Sequence, residues 1–109
     1  MNTLTQPSIG RQIHSSALEA GHLIEAQACR LLSLLVTNTG PDQYIQVHDA
    51  LEAPANGSVP LFVFPIGTGQ VGSLDTPVRL LNGLYICNST TAATKTAGAD
   101  DCWFLTRNN

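Results

Sequence analysis

Charge is scarce in this sequence: 13 of its 109 residues are Asp, Glu, Lys or Arg, about half the share of an ordinary globular chain. The basic residues Arg11, Arg30, Arg79, Lys95 and Arg107 are scattered. With no cluster to displace counterions from phosphates, nucleic acid is not an expected partner. No apolar run approaches the roughly 18 residues of a spanning helix, so no membrane is expected either. Residues 1–16 lack a basic segment followed by an apolar one, and no secretion signal is expected. The three cysteines, Cys29, Cys87 and Cys102, are odd in number and far apart. They do not form a disulfide framework and fit a chain folded in a reducing cytosol.

What remains is polar and uncharged. Ser, Thr, Asn and Gln total 31 residues, and apolar residues make up 43% of the chain. Such a chain can bury one core, and its free surface must be mostly amide and hydroxyl. Disorder does not follow, because disordered chains combine low hydrophobicity with high net charge, and here the net charge is −3.

Along the chain, residues 1–16 show no periodicity and read as an extended arm, with the domain proper over 17–109. Residues 16–36 satisfy two patterns. Ala17, Leu18, Ile24, Ala28, Leu31, Leu32 and Leu35 fit a helical stripe, interrupted by Gly21. Ile24, Ala26, Ala28, then Leu32, Leu34 and Val36, fit a strand facing the core. The remainder decides for the strand. Tyr44–His48, Leu61–Phe64, Val78–Leu80, Gly83–Cys87 and Cys102–Leu105 are short β-rich runs separated by turn clusters, the pattern of a sandwich or barrel. The expectation is therefore an all-β, single-domain antiparallel β-sandwich, jelly-roll-like or immunoglobulin-like, with an extended N-terminal arm. In it, residues 22–38 form a long opening strand in a hairpin with 44–49 across Thr39-Gly40-Pro41-Asp42, and residues 67–75 form a glycine-rich loop.

Few motifs carry chemistry. Gly67-Thr68-Gly69-Gln70-Val71-Gly72 matches a dinucleotide-binding fingerprint in letters. That chemistry requires a following helix and an acidic residue about 20 positions on, whereas here Asp75-Thr76-Pro77 breaks any helix and the distant position is Cys87. His14, His22 and His48 have no metal-ligand spacing to cysteine and read as surface or turn residues. Asp100-Asp101 reads as a turn pair. The cysteines sit between apolar neighbours as small hydrophobes rather than nucleophiles. Asn56-Gly57-Ser58 and Asn88-Ser89-Thr90 are glycosylation sequons that matter only in a secreted eukaryotic chain. No catalytic residue, cofactor or metal is expected, and the chain reads as a non-enzyme. The residues pointing to assembly are Leu4, Pro7 and Ile9, apolar positions in the polar arm that could order on a neighbouring subunit, and Trp103, a residue type enriched in interface anchors.

The stretches Leu34-Leu35-Val36-Thr37-Asn38, Tyr44 to Ala50, Pro54 to Pro60 and Asn82 to Thr90 resemble the small β-sandwich virion proteins of tailed bacteriophages. The resemblance is one of strand ends and turns, covers about residues 32–102, and leaves out the N-terminal third. It implies a virion component assembled in the bacterial cytoplasm. The role implied is a head decoration or cement protein on the major capsid protein, as a homo-oligomer for which a trimer suits three-fold lattice sites. The alternative is a tail, neck or fibre module that binds a receptor or carbohydrate.

Overall fold

A computed structural model describes residues 10–109. Among them are nine strands and no helix: β1 Arg11–His14, β2 Gly21–Glu25, β3 Cys29–Asn38, β4 Gln43–His48, β5 Phe62–Ile66, β6 Val71–Leu74, β7 Val78–Leu80, β8 Leu84–Ser89 and β9 Cys102–Asn108. They form two antiparallel sheets. Sheet I has the order β1-β9-β3-β6, with β7 also paired to β3, and sheet II the order β2-β8-β4-β5. Successive strands repeatedly change sheet, and the order in each sheet is that of a jelly roll rather than an immunoglobulin sandwich.

The core lies between the sheets and follows the period of two. Leu31, Leu34 and Val36 of β3, Ile45 and Val47 of β4, Leu84 and Ile86 of β8, and Phe104 of β9 point inward and are at most 1% exposed. The interior is filled by aliphatic side chains with Cys102 and the Phe104 ring, and Phe64 packs against it.

Three expectations are corrected. Residues 22–38 are two strands in different sheets, parted by exposed Ala26, Gln27 and Ala28. A register shift between Leu31 and Ser33 also turns Leu31, rather than Leu32, into the core. Strands β3 and β4 do not form a hairpin, since β3 pairs with β9, β6 and β7 while β4 pairs with β5 and β8. The Asn38 side chain steers this crossing by donating to Pro41 O (2.9 Å) and Gly67 O (3.0 Å). Residues 11–15 of the expected 1–16 arm also belong to the folded domain. Residues 11–14 pair with β9, Ile13 packs against the core, and Ser15 exchanges two hydrogen bonds with the Phe104 backbone. With a single inward apolar residue, β1 is too short to display a pattern.

Part of the expected 67–75 loop is strand β6, reached through a turn at Gly69, whose φ of +71° suits glycine. At the opposite end of the barrel, the Asp49 carboxylate accepts the backbone N–H groups of Leu81, Asn82 and Gly83. Burial alone would raise its pKa, but these bonds outweigh it and hold the carboxyl below its usual value. Gly83 is required there, because a Cβ would run into the carbonyl oxygens of Ala50 and Glu25.

Candidate functional site

The outward faces of the two sheets differ, and the difference locates the site. On sheet II the outward residues of β4 and β8 include Gln46, His48, Cys87 and Ser89, all buried. The chain's own loops cover them. The Gln46 amide donates to the carbonyls of Thr91, Ala92 and Thr94 at 3.0–3.1 Å, and its Oε1 is 2.9 Å from His48 Nε2. Lys95 donates to Pro54 O at 2.6 Å and sits 5.5 Å over the Tyr85 ring. The 90–97 and 49–61 segments thus close over the sheet.

Burial, and secondarily Lys95, lowers the His48 pKa from its usual 6.5. Between the two values the unfolded chain binds more protons than the native one, so stability is lost as pH falls below about 6.5. A series of urea melts from pH 8 to 5 should show this loss, with a shallower slope in His48→Gln. Equal slopes would show that His48 is not linked to folding.

At one end of the barrel a second polar group is enclosed. Asn38 Oδ1 and Asp101 Oδ1 accept from Gln43 Nε2 at 2.7 and 3.0 Å, and Asn88 Nδ2 donates to Ala99 O and to Asp101 Oδ1. Cys102 Sγ donates to Asp101 Oδ1 at 3.4 Å. Burial and that bond push the Cys102 thiol up to about 12, and burial pushes Cys87 up to about 11. Burial, with Glu25 as a lesser cause, also raises Cys29. Thiols of this kind are protonated at neutral pH and poor nucleophiles.

No described residue covers sheet I in this way. Its outward positions form three rows across β1, β9, β3 and β6. Trp103, Thr37 and Val71 make the first row, His14, Leu105, Leu35 and Ser73 the second, and Gln12, Arg107 and Ser33 the third. Asp75 stands one residue beyond the last β3–β6 pair and lines the same 280 Å³ depression as Arg107, Ser33 and Leu35. Leu35 is 41% and Val71 60% exposed. The His14 and Trp103 rings stack at 5.9 Å and 14°. Apolar residues at the centre of a polar, weakly charged surface are the composition of a protein interface.

Of the residues singled out in the sequence, Trp103 lies on this face, half-buried rather than in the core. Leu4, Pro7 and Ile9 lie outside the described residues. The histidines are dispersed: His14 stacks on Trp103, His22 pairs with Glu19 at 2.7 Å, and His48, expected at the surface, is buried. No group of three or more His, Cys, Asp or Glu among the described residues is placed to hold a metal. Residues 67–72 lead into a strand, so no helix N-terminus faces a phosphate there. Asn88 of the second sequon is fully buried. Sequence reasoning missed Leu35, Leu105, Val71, Arg107 and Asp75. The alternation that places Leu34 and Val36 inward already turns Leu35 outward, but it does not say whether that face is covered.

No protein-family model matches the chain, and no curated protein matches it. Among solved structures, the coat protein of Tobacco streak virus aligns over 96% of this chain and 90% of that chain, at 12% identity and a TM-score of 0.43. Likeness at that level carries no argument about this chain.

Proposed function

We propose that this chain is a structural subunit of a virus particle, held in its assembly by the open face of sheet I. The observation that carries the reading is the contrast between the faces. The chain's own loops cover the outward residues of β4 and β8 in sheet II, whereas on sheet I no described residue covers Leu35 and Val71, which are exposed, or Trp103 and Leu105, which are partly so. A contiguous apolar patch left bare marks an interaction site. The jelly-roll architecture is one that capsid proteins use, although it also serves lectins and cupins. The strand-end and turn pattern over about residues 32–102 supports a tailed-phage virion and, within it, a decoration or cement protein of the head. In that role the subunit stabilises the shell because its contacts exist only in the assembled state, with Leu4, Pro7 and Ile9 reaching towards the major capsid protein.

The test is the composition of purified particles. The chain should co-purify with them in a fixed copy number, and Leu35→Glu should reduce its incorporation about tenfold or more by placing a charge at the centre of the contact. Absence of the wild-type chain from particles would overturn the reading, as would undiminished incorporation of Leu35→Glu.

One observation favours the alternative of a tail or fibre module. Tyr44, Asp42, Gln70 and Thr90 line an open cleft of about 480 Å³ at the edge of sheet II, combining an aromatic ring with polar groups as sugar sites do. Binding of oligosaccharides on a glycan array, lost in Tyr44→Ala, would support that reading. An array without signal would remove it.

A further inference from the structure

The open face carries its own complement. Arg107 on β9 and Asp75 after β6 are both exposed, and neither forms an ion pair with another described residue. Strands β9 and β6 pair with β3 on opposite sides. With strands about 4.8 Å apart, the two opposite charges stand about 10 Å apart, one on each side of β3. Leu35 lies on β3 between them, in the next row.

We propose that this face is occupied by a second copy of the chain, in an isologous sheet-on-sheet pair about a two-fold axis along β3. This rests on the reading of the open face as a subunit contact and names its partner. Rotation about that axis lays β9 of one copy over β6 of the other. Arg107 of each copy then meets Asp75 of the other, Leu35 meets Leu35, and Trp103 lies over Val71. Opposite charges flank an apolar centre and exchange places under the rotation, as a self-complementary interface requires. Arg30 and Arg79, opposed and both exposed at the end of the sheet, bound the patch. Sheets packed about 10 Å apart and crossing at about 30° carry the two copies of Arg30 roughly a Debye length from each other. Only β9, β3 and β6 overlap under this rotation, so three rows project to about 14 by 20 Å, smaller than a stable specific interface, and the pair is weak and forms and dissociates with concentration.

Sedimentation of the full chain from micromolar to millimolar concentration tests this. The wild type should pass from monomer to dimer. Arg107→Asp and Asp75→Arg should each weaken the dimer about tenfold or more, because each sets like charges face to face. Mixed in equal amounts, the two variants should associate within about threefold of the wild type, since every facing pair is again of opposite sign. A misfolded variant could not be rescued by mixing. A wild type that stays monomeric, one that forms trimers, or a mixture that stays apart overturns the pairing. If the chain is nevertheless incorporated into particles and Leu35→Glu is not, the open face remains a contact for a different partner. If the pair forms but the chain is absent from particles, the inference stands and the proposed function falls.

Discussion

Replacing Phe104 by Ala should cost about 3–5 kcal/mol of folding free energy, a large share of the roughly 5–15 kcal/mol that holds a domain together. Phe104 is the largest of the fully buried side chains, with 0% exposure, and it stands on β9 between the two sheets. Removing the ring forfeits its transfer free energy and leaves a cavity that rigid strands on both sides cannot close. Urea unfolding should show the midpoint fall with the slope unchanged. Trp103→Ala, one residue earlier, should cost no more than about 1–2 kcal/mol, because its ring lies on the outer face and is only partly buried. Its effect should appear in association instead. Equal destabilisation by the two substitutions would mean that Trp103 is not on an open face.

The second large effect is expected at Gln46. Its amide is fully buried and spreads two N–H hydrogens over the carbonyls of Thr91, Ala92 and Thr94. Gln46→Glu keeps the shape and reverses the polarity, so that an oxygen faces three oxygens. The site must then hold a desolvated charge against lone pairs or take up a proton. A loss of about 3 kcal/mol at pH 8 is expected. The introduced carboxyl should have a raised pKa in the folded state, so the loss relative to wild type should shrink as pH falls through that value. Because the carboxylate would also lie against His48 Nε2, the two groups titrate as a pair, and repeating the comparison in a His48→Gln background separates them. Proteolysis within residues 90–97 should also quicken at high pH, because Gln46 ties that segment down. A loss independent of pH would mean that the carboxylate finds another donor.

How far the sequence revealed this molecule depended on the range of the interaction concerned. Short β-rich runs such as Tyr44–His48 and Cys102–Leu105 were visible because burial of one face imposes a period of two and turn residues mark the ends. The choice between helix and strand over 16–36 was settled by these neighbours rather than by the segment's own propensity. The partners of each strand were not visible. Nothing local in Thr39-Gly40-Pro41-Asp42 distinguishes a hairpin turn from a crossing between sheets, since the distinction is made by Asn38 reaching Gly67 O across 29 positions of sequence. His48 read as a surface or turn residue, and with Gln46 it does face outward from its strand. Their burial comes from distant loops. Trp103 could be singled out by residue type. Arg107 and Asp75 could not, because their relation exists only once β9 and β6 flank β3.

The loops over sheet II have a consequence for growth. A jelly roll with two bare faces could add neighbours on both sides and lengthen into a stack. Because the molecule's own loops cover β4 and β8 on one side, each copy offers one open sheet face for this kind of contact, and joining ends when a single partner is in place. Opening the closed side, as Gln46→Glu should, would supply a second point of addition and turn a self-limiting particle into one prone to fibres.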